Sequence, residues 1–228
     1  MNKVFIETYG CQMNVYDSEL VISILQKEGW QLCDSIESAD MILVNTCSIR
    51  DNAEQRVWGR LDHFLQQKRK RGELIVGVLG CMAERVKEKL LEHPVVNIVA
   101  GPDTYRKLPE MIRDLQSEPK QMDIRLSRHE TYADITPVRT DKNGVSAYIS
   151  IMRGCNNMCT YCIVPYVRGS ERSRDPHSIV KEARDLFESG YREVNLLGQN
   201  VDSYLWVDPE NPTETTDFAQ LIELVALI

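Results

Sequence analysis

At 228 residues the chain is long enough for one large or two small domains with proper cores. Its 43% apolar and 27% charged residues fit an ordinary globular protein, and no apolar run nears the roughly 18–20 residues that span a bilayer. MNKVFIETYG lacks an apolar signal core, so a cytoplasmic location without membrane attachment is expected, and the formal charge of −7 excludes capture of nucleic acid by net field alone.

In chain order, residues 2 to about 117 alternate strand and helix patterns. VFIETYG reads as a buried strand, and DSELVISILQKEG as an amphipathic helix ended by Gly29. MILVNTC is a second strand, followed by a helix from Asp51 to about Lys70. The KRKR run, Lys68 to Arg71, reads as the solvated end of that helix. ELIVGVLG is a third strand, AERVKEKLLEH a third helix, VNIVAG a fourth strand and YRKLPEMIRDLQ the last helix. Such alternation implies βαβ crossovers and a parallel sheet covered on both faces, hence an α/β fold.

Residues 118–145 break this rhythm: the segment is polar, mixed in charge and poor in periodicity, and is expected to be a linker. DKNG near its end reads as a tight hairpin turn. A second α/β segment fills residues 146–228. AYISIMRG is a strand, a cysteine-bearing loop follows, and HSIVKEARDLFESG is a helix with Gly190 at its end. EVNLLG is the next strand, and a further helix begins near Asp217. The expected organisation is therefore 1–117, a linker over 118–145, and 146–228. Between Ile151 and Arg174, four arginines (Arg153, Arg168, Arg172 and Arg174) face Glu171 alone, which places them to meet phosphate.

Seven cysteines in a cytoplasmic chain need an explanation other than a disulfide framework, and the odd number argues against complete pairing. Cys11 follows the first strand, Cys47 ends the second and Cys81 follows the third, separated by 36 and 34 residues. In a parallel sheet these positions share the carboxyl edge, where open α/β folds place ligands. A single such cysteine is usually a small buried apolar residue, whereas three in the same strand-end position point to a shared ligand set. Cys33 lies between a helix and a strand without a matching partner and reads as a core or surface thiol. Gly10 and Gly80, each just before a cysteine, fit either a tight loop whose backbone approaches a metal cluster closely or a simple strand-to-helix turn.

CNNMCTYC, from Cys155 to Cys162, puts three further cysteines on one short loop. A zinc site asks for four ligands, or three and a water, and no cysteine follows Cys162. His177 stands at a helix start, where capping explains it. A 4Fe–4S cluster on three thiolates leaves one iron without a protein ligand, open to a small molecule with an amine and a carboxylate.

C-x-x-x-C-x-x-C directly after a strand, with Tyr161 before the last cysteine, resembles the signature of the radical S-adenosylmethionine superfamily. TYGCQMNVYDSE, VNTCSIRDNAEQRV, VGVLGCMAER and MRGCNNMCTYCIVPYVRGSERSR with LLGQNVDSY together resemble the methylthiotransferases of that superfamily, over nearly the whole chain. The resemblance implies a flavodoxin- or Rossmann-like N-terminal domain, then the start of a partial TIM-like radical barrel. It implies two 4Fe–4S clusters, one on Cys11, Cys47 and Cys81, the other on Cys155, Cys159 and Cys162. S-adenosyl-L-methionine would bind the open iron of the second and be cleaved by one electron to a 5′-deoxyadenosyl radical. Tyr161 would lie beside its adenine, and Gly198, Gln199 and Asn200 near its methionine amino group. GCQMN resembles the family branch that adds a methylthio group to C2 of N6-isopentenyladenosine at position 37 of tRNA. An electron donor such as flavodoxin, an unspecified sulfur donor and a monomeric state complete the expectation. The chain departs from the family in its short barrel, which reads as a truncated form. Two alternatives stay open: the same chemistry on a ribosomal protein side chain, and a non-catalytic iron–sulfur or zinc module.

Overall fold

The computed structural model describes residues 2–47, 51–140 and 144–228, arranged as two compact units that divide between Ser127 and Arg128. The first unit alternates β1 (Lys3–Tyr9), α1 (Gln12–Lys27), β2 (Gln31–Leu32), β3 (Met41–Thr46), α2 (Asp51–Arg71) and β4 (Ile75–Leu79). It continues through α3 (Cys81–Val86), α4 (Glu88–Glu92), β5 (Ile98–Ala100), α5 (Leu108–Asp114) and β6 (Gln121–Asp123). All six strands run parallel in the order β2-β1-β3-β4-β5-β6. That is the flavodoxin-like winding extended by one strand, and its order reverses between β1 and β3.

Burial explains the sheet. All six residues of β3 are buried, and Ile42 and Val44 pack with Val57, Leu61 and Phe64 of α2. Each such side chain contributes about 1.5–3 kcal/mol on leaving water. α2 is also tied to β1 by an ion pair between Arg60 and Glu7. KRKR forms the last turn of α2, where cations oppose the negative end of the helix dipole. There Lys68 also donates to Asn97 Oδ1 (2.7 Å).

In the first unit, three features differ from the sequence expectation. The continuous third helix is two short ones, because Lys87 adopts φ 56° and breaks the ladder between α3 and α4. Two short strands, β2 and β6, were not anticipated; both lie at sheet edges, where pairing on one side needs no apolar run. β6 also draws residues 121–123 of the expected linker into the first sheet. The turn expected at DKNG falls on residues 141–143, outside the described residues.

The second unit contains β7 (Ser146–Ser150), β8 (Met152–Arg153), α6 (Val164–Arg168), β9 (Arg172–Ser173), α7 (Pro176–Glu188) and β10 (Glu193–Leu197). A hairpin of β11 (Leu205–Val207) and β12 (Thr215–Asp217) leads into α8 (Phe218–Ala226). β7 and β10 pair in parallel across α7, a βαβ crossover like those of the first unit. Asp175 caps α7 by accepting from the backbone N–H of His177 and Ser178. At α8, Asp217 and Gln220 form a reciprocal capping box at 2.9 Å each way. No helix among the described residues is long and apolar enough to cross a membrane.

Candidate metal centres

Cys11, Cys47 and Cys81 leave β1, β3 and β4, three consecutive neighbours in the sheet, all at the carboxyl edge. Cys11 is exposed and precedes α1, Cys47 is buried, and buried Cys81 opens α3. The loops that carry the trio are pressed together. A Cβ built on Gly10 would lie 2.6 Å from the Cβ of Cys47 and 2.6 Å from Asn14 Oδ1. One built on Gly80, at φ +85°, would lie 2.4 Å from Asn45 Oδ1. Both glycines therefore sit where neighbouring protein atoms leave no space for a side chain.

Two residues between these loops were not singled out from sequence. Asn14 and Asn45 are fully buried, and Asn14 Nδ2 donates to Asn45 Oδ1 at 3.1 Å. Asn45 Nδ2 donates to the Asn14 carbonyl (2.9 Å) and to Ser18 Oγ (3.0 Å). Asn14 Oδ1 in turn accepts from the Cys11 backbone N–H and from its thiol, both at 3.4 Å. The signal in the sequence was a polar residue inside the apolar run MILVNTC.

Glu84 lies one helical turn after Cys81 and is buried, with Oε2 lacking a hydrogen-bond partner among the described residues. Burial pushes its carboxyl up from 4.5 to about 7; Lys87, with Nζ 3.6 Å from Oε1, works against this, while Asp103 and Asp123 add to it. Cys33 stays apart from the trio and donates to the Val4 carbonyl (3.4 Å).

In the second unit, Cys155 is buried, Cys162 half-buried and Cys159 exposed, all on the loop that follows β8. Gly154, at φ +78°, lets the chain pass beneath the segment before β9: a Cβ there would lie 2.1 Å from the Ser170 carbonyl oxygen. Cys155 N–H donates to the Gly169 carbonyl (3.2 Å), and Asn157 N–H donates to Cys155 Sγ (3.4 Å). Gln199, after β10, accepts from Gly154 N–H through Oε1 at 2.5 Å, joining its strand end to the cysteine loop. Gly198 packs on Met152, and Asn200 starts a short turn through its carbonyl. Tyr161 projects from the loop at 91% exposure. A cavity of about 240 Å³ opens beside Cys155, lined also by Met158, Tyr166 and Ser170.

The four arginines near this loop do not present themselves to phosphate. Arg153, Arg168, Arg172 and Arg174 are all buried. Arg153 lies over the Tyr132 ring at 4.9 Å, and Arg172 donates to the carbonyls of Glu130, Arg168 and Ser170. Glu182 of α7 receives Arg174 on one oxygen and Arg139 on the other, both at 2.5 Å. Sequence displayed the charges; their partners lie on other elements.

No three His, Cys, Asp or Glu side chains among the described residues converge tightly enough to hold one metal ion.

Comparison with known proteins follows the same division. Residues 3–101 match the uncharacterized protein family UPF0004, and residues 149–228 match the radical SAM superfamily. A tRNA-2-methylthio-N(6)-dimethylallyladenosine synthase of Amoebophilus asiaticus is 57% identical over 99% of this chain and 48% of its own length. Synthases of the same name from Bacteroides fragilis and Christiangramia forsetii are each 54% identical over 98% of this chain and 49% of their own. The chain resembles the N-terminal portion of a radical S-adenosylmethionine methylthiotransferase. It spans about half the length of these curated relatives.

Among solved structures, the cobalamin-dependent S-adenosylmethionine radical enzyme OxsB superposes with a TM-score of 0.63 at 13% identity, covering 100% of this chain and 37% of that one. The radical S-adenosylmethionine methyltransferase TsrM of Kitasatospora setae gives 0.58 at 12% identity, over 87% of this chain and 48% of its own. These likenesses establish the fold: a parallel α/β unit followed by the start of a radical barrel.

Proposed function

We propose that this chain supplies the cluster-bearing half of a tRNA methylthiotransferase, which adds a methylthio group to C2 of N6-isopentenyladenosine at position 37. The observation that carries the reading is the presence of two cysteine trios, one at the carboxyl ends of the parallel strands β1, β3 and β4 and the other on the loop after β8, each one ligand short of a closed shell. Cys11, Cys47 and Cys81 are assigned to one 4Fe–4S cluster, and Cys155, Cys159 and Cys162 to the other. The donor chemistry fits: thiolates are the ligands of iron–sulfur clusters.

When bound, these clusters and S-adenosyl-L-methionine supply radical and sulfur chemistry at an aromatic C–H that acid–base groups cannot open. The chain's own contribution is to hold and orient. Asn157 N–H donates to Cys155 Sγ, a contact that stabilises charge on sulfur. Gln199 fixes Gly154, and with it the start of the cysteine loop, against the strand end where Gly198 and Asn200 would meet the methionine portion. Tyr161 is free to lie against the adenine. A flavodoxin-like electron donor and a separate sulfur source are the partners this chemistry asks for.

The test uses a hybrid in which residues 1–228 replace the matching half of the Bacteroides fragilis relative. Under anaerobic conditions with S-adenosyl-L-methionine, a one-electron reductant and isopentenylated tRNA, nucleoside mass spectrometry should show the 2-methylthio product. Modification of a ribosomal protein with no tRNA product would transfer the assignment to a protein substrate.

A further inference from the structure

We infer that Asn14 and Asn45 are positioning residues for the first cluster: a buried amide clamp that sets the three cysteine loops before iron arrives. The inference rests on the assignment of Cys11, Cys47 and Cys81 as ligands, and it concerns residues that are not ligands.

The geometry is specific. Asn45 sits two residues before Cys47, inside β3, and its Oδ1 lies against Gly80, the residue before Cys81. Asn14 lies against Gly10, the residue before Cys11, and accepts from both the N–H and the thiol of Cys11. The amide–amide hydrogen bond of 3.1 Å therefore joins the backbone that carries the first cysteine to the strand ends that carry the other two. Ser18 Oγ, 2.7 Å from Thr8 Oγ1, extends the network back onto β1.

The orientation of each amide is also fixed. Asn45 Nδ2 donates to a carbonyl and a hydroxyl, so Asn45 Oδ1 must face Asn14. Asn14 then has to donate through Nδ2, which leaves Oδ1 toward Cys11. A flip of either amide would oppose two oxygens in a buried site, where unpaired polar groups are costly. Fully buried polar groups amid an apolar sheet contribute little net stability compared with well-packed apolar side chains. Their value here is register: they allow one arrangement of the three loops.

The test isolates the first cluster by replacing Cys155, Cys159 and Cys162 with alanine. In that background Asn14→Asp and Asn45→Asp keep side-chain shape, but each removes an amide donor of the clamp. After anaerobic reconstitution, iron and sulfide per chain and the rate of iron release to a chelator are measured, with circular dichroism of the apo chain. We expect native circular dichroism with cluster release at least about tenfold faster in both variants. Release within twofold of the parent in both would overturn the inference. Loss of the folded signal in the apo variants would also overturn it, since the pair would then serve the fold rather than the site. Cys11→Ala is the control for the underlying assignment: if it keeps its full iron, the ligand set fails, independently of the clamp.

Discussion

At the scale of single residues, the cysteines proposed as ligands differ in their surroundings. Cys47, Cys81 and Cys155 are buried, whereas Cys11 and Cys159 stand exposed. Cys33 belongs to neither trio, and Cys33→Ala is expected to leave iron and sulfide content unchanged on reconstitution. Glu84 is the residue whose titration stands out. Its carboxyl is raised in the folded chain from 4.5 to about 7 by burial, so the native state binds more protons than the unfolded state between those values. Stability from this group is thus present below pH 4.5, falls as pH rises toward 7, and stays reduced above. The full loss is on the order of 3 kcal/mol. Glu84→Gln should flatten the decline between pH 5 and 7 in urea titrations; an unchanged pH profile would rule the group out. Asp123 has the opposite sign. Burial works to raise its carboxyl, but hydrogen bonds from Arg125 and Lys107 outweigh this and hold it at about 2. Its contribution is therefore present above its ordinary 3.8 and fades only as pH falls toward 2.

At the scale of elements, the loops that shape each site depend on glycine where no side chain fits. Gly154→Ala puts a methyl group 2.1 Å from the Ser170 carbonyl at a φ of +78°. The left-handed backbone alone costs about 1–2 kcal/mol for a residue with a Cβ, and the clash adds to it. A fall in Tm of at least several degrees is expected, at about 2–4 °C per kcal/mol for a chain of this size. An unchanged Tm would mean that the loop passes elsewhere. The Asp175 cap of α7 is a milder case: Asp175→Ala should cost about 1 kcal/mol by denaturant titration, without loss of either cluster. The strands β1, β3, β4 and β5 were legible because long apolar runs end in glycine or cysteine. The edge strands QL and QMD were not, being too short and too polar to carry a period. The break at Lys87 was equally invisible, since a positive φ at lysine follows from packing rather than from local sequence.

At the scale of the whole molecule, each cysteine trio lies wholly within one compact unit, Met1–Ser127 or Arg128–Ile228. Cysteine spacing pointed to both trios, because strand ends repeat at βαβ intervals and a short loop keeps its own cysteines together. What spacing could not reveal was what surrounds them. Asn14 and Asn45 meet across 31 residues, and Glu182 gathers Arg139 from 43 residues away. Arginines that in sequence suggested a phosphate surface are instead internal struts of the second unit. The account rests on two separate clusters, one in each unit, and one measurement addresses it directly. Anaerobic reconstitution of the chain should give about eight iron and about eight sulfide, falling to about four of each in Cys47→Ala and, separately, in Cys159→Ala. About four of each in the unaltered chain would remove one of the two centres, and a single zinc without sulfide would contradict the account altogether.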